Sequence, residues 1–337
     1  MEIKCIGRTG LKVSEICLGT MTFGNQCDQS TSFAIMDRAD QGGVNFFDTA
    51  DVYPLGGGPG LTGRTEEFVG EWIKQRGARN RIVLATKCRG QTGRGANDVG
   101  LSRKHIMDAV EGSLRRLQTD YIDLYQTHGP DPETPIDETM RALDDLVRSG
   151  KVRYIGCSNY RAYELAKAIW TSDKLGIARY DCIQPRYNIL YREIESEILP
   201  LCAKEGVGVI CYNPLAGGFL TGKYQKGQDV VEGTRFALGN QAGRRYQERY
   251  WHEAQFEAVE ELKQVVDAHG LSLPQVAVAW VLRNPTVTSA IVGATSPGQL
   301  DQTLPSSDVA LSDEVRDACA ATWYNLPRPR DPAVALR

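Results

Sequence analysis

Short apolar runs alternate along this chain with longer stretches whose apolar residues recur every three or four positions. Eight runs, at 16–21, 45–50, 82–87, 122–128, 153–159, 181–187, 207–214 and 289–294, are rich in β-branched and aromatic residues. That is the pattern of strands buried on both faces of a parallel sheet. Between them, Ser102 precedes a stretch to Leu117 in which Ile106, Val110, Leu114 and Leu117 share one helical face. The stretch 136–149 aligns Met140, Leu143 and Val147 and stops at Gly150, and 255–269 stops likewise at Gly270. Pro274 then stands where a first helical turn tolerates proline. Ahead of the first strand, residues 1–15 predict a small hairpin turning at Arg8-Thr9-Gly10. Eight strands alternating with helices, and no linker between halves, predict one α/β domain over 1–337, a closed (β/α)8 TIM barrel. An open doubly wound sheet is the competing architecture, weakened because no strand runs into a GxGxxG turn.

Two segments break the rhythm: a glycine-rich one at 55–64 after the second strand, and a long excursion at 217–250 after the seventh. Both fall on the C-terminal rim of a barrel, where sites are built. Residues 305–337 form a separate C-terminal segment.

A net charge of −3 leaves no basic footprint for nucleic acid or an anionic membrane, although a small phosphorylated ligand needs only a few local cations. The nine cysteines include no CxxC pair, and several lie inside strand-like runs such as Ile210-Cys211-Tyr212, so they read as buried, reduced thiols. No apolar leader core opens the chain and no run approaches a membrane span, so the cytoplasm is the expected compartment.

Four polar residues stand at or just past three successive strand ends: Asp48 and Tyr53, then Lys87, then His128. In a barrel these ends converge on one mouth. Together they suit the delivery of a proton to a carbonyl oxygen that is gaining negative charge. A tyrosine, with a pKa of about 10, is a poor acid near neutrality. A nearby ammonium lowers that pKa, and a carboxylate holds the ammonium in place. A neutral histidine donates a hydrogen bond to the carbonyl oxygen. Trp72, Trp170, Trp280 and Trp323 lie in helical stretches and are expected to pack, whereas Trp251 either reaches the mouth or starts the next helix. Arg244, Arg245 and Arg249 read as solvated charges. No His/Cys/Asp cluster has metal-ligand spacing, and no catalytic metal is expected.

With these residues in place the chain resembles the aldo-keto reductases from residue 16 to about 304, in a clade that also contains the β subunits of voltage-gated potassium channels. Phe47-Asp48-Thr49-Ala50-Asp51-Val52-Tyr53 is similar to the segment carrying the family's Asp and Tyr, Ala85-Thr86-Lys87 to its lysine strand, and Asp123-Leu124-Tyr125-Gln126-Thr127-His128 to its histidine strand. The resemblance implies a cofactor role for Ser158, Asn159 and Gln184 at the nicotinamide carboxamide, with Tyr212 stacked on the ring. It implies that Asn213, Pro214, Leu215, Ala216, Gly217 and Lys223 wrap the pyrophosphate through backbone amides and the lysine charge, and that 217–250 covers the cofactor, with Arg235 reaching it. Gly19, Thr20, Met21 and Gln26 fall at the nicotinamide end with Asp48, and Gly293, Thr295, Gln299 and Gln302 at the adenosine end, where a helix start near Ser296 would face phosphate. One departure stands out. No lysine or arginine lies within 293–302, where many NADPH-selective members place one, and position 303 is threonine.

The implied function is NADPH-dependent reduction of a small carbonyl substrate, with NADH as the other cofactor to consider. Two rivals are a nicotinamide-binding regulatory subunit like those of the channels, and a barrel isomerase or hydrolase acting on a phosphorylated substrate. His128 favours the active enzyme over the first, because the channel subunits can lack a histidine there. Ser158, Asn159, Gln184 and Tyr212 together argue against the second.

Overall fold

The structure, a computed structural model, describes residues 1–327. Strands β1 (Ile3–Cys5) and β2 (Lys12–Ser14) form the antiparallel hairpin. Strands β3 (Ile16–Gly19), β4 (Phe46–Asp48), β5 (Val83–Cys88), β6 (Ile122–Thr127), β7 (Val152–Ser158), β8 (Cys182–Gln184), β9 (Gly208–Tyr212) and β10 (Val287–Gly293) close into a parallel barrel in chain order, with β10 returning to β3. This is the expected TIM barrel. Most strands are shorter than their apolar runs, because the residues past the last ladder bond turn outward to build the rim. Ser102 caps the helix Arg103–Leu117 by accepting from the His105 amide. The helix Ile136–Arg148 ends one residue early, Glu253–Ala268 starts two residues before the expected stretch, and Pro274 lies in the first turn of Leu273–Leu282.

Side chains alternate across each strand, and the two parities do different work. One parity, Leu18, Phe47, Leu84, Tyr125, Ile155, Ile183 and Val209, packs outward against the helices. The other, Cys17, Phe46, Val83, Ala85, Leu124, Cys182, Ile210 and Ile291, fills the barrel, and Ile6 and Val13 of the hairpin close it from below. The larger of these, such as Phe46, Leu124 and Ile210, each contribute roughly 1.5–3 kcal/mol when fully buried. Continuing the inward parity towards the strand C-termini brings up a polar layer. Register pairs Gly19 with Asp48, Lys87 with Gln126, Gln126 with Gly156, and Ser158 with Gln184. The site is therefore a polar lid on an apolar plug.

The excursion at 217–250 is largely ordered rather than loop: it holds the short turns Ala216–Thr221 and Arg235–Ala237 and the helix Asn240–Tyr250. Phe219, Tyr224, Phe236, Tyr246, Tyr250 and Phe256 gather there into a second core. Trp251 belongs to it, with ring centroids 4.9 Å from Phe236 and 5.1 Å from Tyr224, so it caps the helix and does not reach the mouth. Trp72 is buried, Trp280 packs on Tyr187 and Trp323 on Tyr191. Trp170 is the exception, 61% exposed. The buried face of its helix runs through Leu165, Ala168, Ile169 and Ser172, and Trp170 falls off that stripe.

The excursion also meets the first rim segment, with Leu238 against Gly56 and Leu55 packed on the second core, while Asn25 Nδ2 donates to the Leu55 carbonyl from the turn after β3. All nine cysteines are unpaired thiols, buried except for Cys5. Among the described residues no single helix is long and apolar enough to cross a membrane. The C-terminal segment carries the helix Asp313–Tyr324, and residues 328–337 lie outside the described residues.

Candidate active site

At the centre of the polar layer, Lys87 Nζ donates to Asp48 Oδ2 at 2.5 Å and to the Thr49 carbonyl at 2.8 Å. Both side chains are almost wholly buried, a placement tolerable only because the charges are paired and hydrogen-bonded. The second Asp48 oxygen accepts from Gln184 Nε2 at 2.8 Å and from Gln126 Nε2 at 3.2 Å. Gln126 went unrecognised in the sequence. It stands in strand register with Lys87, and Gly156 leaves the room it needs, since a Cβ there would meet Gln126 Cγ at 3.2 Å and Cys182 Sγ at 2.6 Å.

Tyr53 lies above this pair. The Lys87 ammonium is 5.1 Å from its ring centroid. The Tyr53 carbonyl accepts from the amides of Gly63 and Thr65, so the segment 55–64 leaves Tyr53 and returns to it. His128 follows β6, its amide donating to the Cys88 carbonyl at 2.8 Å. Asn159 Nδ2 donates to the His128 carbonyl at 3.0 Å, and Tyr212 donates its hydroxyl proton to Asn159 Oδ1 at 2.9 Å. Ser158 Oγ donates to the Gln184 carbonyl at 2.8 Å. Asn159 and Asn213 both take left-handed backbone, at φ 60° and 65°, which asparagine tolerates better than most residues and which turns the chain at two strand ends.

Burial pushes the Tyr53 hydroxyl up to about 12, against the pull of the Lys87 charge. The expected lowering by lysine is present, but desolvation outweighs it, so Tyr53 is a protonated donor throughout the neutral range. Burial, reinforced by the charges of Lys87 and Arg89, drives His128 down to about 3, which keeps the imidazole neutral. Burial pulls Lys87 down as well, but the neighbouring Asp48 and Tyr53 more than offset it and hold the ammonium charged.

A cavity of about 1760 Å3 opens over this layer, larger than the roughly 300–1,000 Å3 of an ordinary small-molecule pocket. Tyr53, His128 and Asp48 are on its wall, with Lys87 beneath. Of the residues expected at the cofactor, only Ala216 is off the wall, its side chain buried in the second core.

Residues 15–323 match the sequence profile of the Aldo/keto reductase family. The chain belongs to that family. It is similar to a probable voltage-gated potassium channel subunit beta of Oryza sativa subsp. japonica, at 38% identity over 97% of this chain and 98% of that protein. It is also similar to the uncharacterized oxidoreductase YrpG of Bacillus subtilis (strain 168), at 42% identity over 94% of each chain. Protein tas of Escherichia coli (strain K12) is 35% identical over 98% of this chain and 100% of its own length. This aldo/keto reductase is an NAD(P)H-dependent oxidoreductase.

The wall fits such a cofactor. Gln184 uses its amide nitrogen on Asp48 and on Gln126 Oε1, leaving its oxygen as an acceptor at the cavity. Lys223 lines the groove with its pKa lowered by burial, a cation placed where an arriving phosphate would be welcome. Arg235 donates to the Tyr246 hydroxyl at 3.4 Å. The amides of the loop behave differently from expectation. Those of Ala216, Gly217 and Gly218 are donated to the Asn213 carbonyl, Asn213 Oδ1 and the Leu215 carbonyl, so they shape the loop itself, and Lys223 carries the positive potential. Gly217 sits at φ 71°, where a Cβ would meet the Tyr246 ring at 2.7 Å, so only glycine fits. At the adenosine end, Gln299 folds back on Thr295, accepting from its amide at 2.8 Å.

Three wall features were not legible as functional. The turn after β5, which the sequence reading did not single out, brings Gln91, Thr92 and Arg94 to the rim. Tyr246 lines the cavity from the helix Asn240–Tyr250. Arg245 and Arg249 also line the wall; Arg244 and Arg245 are exposed as expected, and Arg249 is half-buried.

Proposed function

We propose that this aldo/keto reductase reduces a small aldehyde or ketone to the alcohol with NADPH, Tyr53 giving the carbonyl oxygen its proton. The reading rests above all on the buried Lys87–Asp48 pair beneath Tyr53, with neutral His128 beside it. When bound, the cofactor supplies the hydride that the carbonyl carbon receives. The Tyr53 O–H bond breaks as the alcohol O–H bond forms, and Lys87 stabilises the phenolate left behind. Asp48, fixed by Gln126 and Gln184, keeps Lys87 charged and in place. His128, being neutral, orients the carbonyl oxygen without adding a charge that competes for the proton. Tyr212, tethered to Asn159, offers its face to a flat ring, and Ser158, Asn159 and Gln184 cluster where an amide is read. Lys223 and Arg235 supply charge for phosphate and are the basis for NADPH over NADH.

Aromatic and aliphatic aldehydes, dicarbonyls and keto-sugars are the substrate classes in view, and the unpaired buried cysteines suit the reducing cytoplasm. NADPH-oxidation assays across these classes and ketosteroids test the reading, and absence of turnover with all of them would overturn it. A second reading draws support from the rice relative's name: a cofactor-binding regulatory subunit with little turnover. It predicts tight NADPH binding with no carbonyl reduced.

A further inference from the structure

The cavity wall holds more positive charge than the cofactor reading uses. Its cations are Arg94, Lys223, Arg235, Arg245 and Arg249, and its carboxylates are Asp48 and Glu232. Asp48 is neutralised by Lys87. Glu232 is exposed, next to Gly233, whose carbonyl accepts from Gln26. With Lys223 and Arg235 allotted to phosphate, Arg94, Arg245 and Arg249 remain. Arg245 and Arg249 stand four residues apart on the helix Asn240–Tyr250, and so share the face that borders the cavity. Tyr246, between them, fixes that face: its ring lies against Gly217, and the Arg249 guanidinium is 6.0 Å from its centroid. No carboxylate of the described residues makes an ion pair with either arginine.

Their position is the telling point. Tyr250, next to Arg249, accepts from Asn213 Nδ2 at 2.9 Å, so this end of the helix is fastened beside the strand end that carries Tyr212, and Arg245, Arg249 and Tyr212 share one cavity wall. The charges thus gather around the tyrosine proposed to face the nicotinamide, at the reacting end of the cavity. Arg94 lines the same cavity from the turn after β5. An arginine pair at the edge of the cavity, Arg249 half-buried and Arg245 exposed, without carboxylate partners, is suited to an oxyanion, which it can hold through charge-assisted bonds.

We infer that the carbonyl substrate carries an oxyanion group, a carboxylate or phosphate, which Arg245 and Arg249 bind. The inference rests on the carbonyl-reductase reading and narrows it to anionic aldehydes and ketones.

The test compares para-carboxybenzaldehyde and para-formylphenyl phosphate with the neutral para-formylbenzamide, using the full chain and saturating NADPH. The wild-type protein should prefer at least one anion by roughly tenfold in kcat/KM, through KM, and the preference should shrink as salt is added. Which anion is preferred separates carboxylate from phosphate. Arg249→Gln and Arg245→Gln should bring the anionic-to-neutral ratio towards one, and Arg249→Lys should restore part of it. Equal kcat/KM for anionic and neutral aldehydes in the wild type would overturn the inference while leaving carbonyl reduction standing. Variants that weaken NADPH binding but keep the anion preference would overturn it too, assigning the arginines to the cofactor phosphates. Turnover of none of the three aldehydes would remove the reading and the inference together.

Discussion

The rings of Tyr53 and His128 stand edge to face, with centroids 5.7 Å apart and planes inclined by 75°, above the Lys87–Asp48 pair. Contributions from three strand ends thus meet at one point, and each group has the protonation state that carbonyl reduction needs. Tyr53→Phe keeps the ring and its packing on His128 but removes the proton. It should lower the reduction rate by a factor on the order of 10²–10⁴, with cofactor affinity nearly intact. Single-turnover rates beside a fluorescence titration of NADPH check both halves, and near-normal turnover would remove Tyr53 from its role. Lys87→Met should be as damaging to rate and should also destabilise the fold by about 3–5 kcal/mol, because Asp48 is left buried and unpaired.

The pH dependence follows from the same two side chains. His128, driven down to about 3, does not titrate near its usual value, and Tyr53, raised to about 12, keeps its proton until strongly alkaline pH. Reduction needs protonated Tyr53 and neutral His128, so its chemical step should be flat between about pH 5 and pH 9. Alcohol oxidation needs the phenolate and should climb about tenfold per pH unit across the same range, with no plateau. An inflection of the reduction rate near pH 6.5 would contradict the neutral histidine.

Cofactor preference turns on cations that the adenosine-end strand and helix do not carry. No lysine or arginine lies within 293–302, and Arg38, which reaches the helix Pro297–Thr303, is occupied by Asp301 at 2.5 Å. Of the five cations on the cavity wall, Lys223 and Arg235 are the two allotted to the cofactor phosphates. Equilibrium titration should show NADPH binding at least about tenfold tighter than NADH, and Arg235→Leu or Lys223→Met should weaken NADPH by a similar factor. Equal affinities for the two cofactors would mean that no cation reaches the 2′-phosphate.

Much of the site was legible because barrel strands report their C-terminal ends in sequence. Asp48, Lys87 and His128 each follow an apolar run, and closure of the barrel makes such ends neighbours. Gln126 was hidden inside the run 122–128, where alternation with Leu124 marks an inward position but gives no sign of the partner it meets. Arg245 is exposed as expected, but neither it nor the half-buried Arg249 was legible as a wall residue, because a charged helix face looks the same whether it meets solvent or a cavity. Only the folding of 217–250 over the mouth, held by Phe219, Phe236 and Trp251, decides which. The balance of forces on Tyr53 was equally invisible, since lysine's pull can be read from sequence and the depth of burial cannot.

Asp181 offers a test of the barrel away from the chemistry. It precedes β8, at the opposite end of the barrel from the site, where Oδ2 accepts from the Ile155 amide at a long 3.4 Å. Burial raises its carboxyl to about 6, against the weaker pull of that amide and of Arg8 and Arg179. The folded value lies above the unfolded one, near 3.9. Below about pH 4 both states hold the proton and burial costs nothing extra. Between about pH 4 and pH 6 the unfolded carboxyl ionises first, so stability falls as pH rises, and above pH 6 the loss is complete. Its size is on the order of 1–3 kcal/mol. Asp181→Asn removes the titration but keeps an acceptor for Ile155. Its Tm should exceed that of the wild type by a few degrees at pH 7.5, and the gap should close as pH falls to 4. Thermal melts of both proteins at the two pH values decide the matter: a gap of equal size at pH 4 would show that packing, and not ionisation, sets the cost of this carboxylate.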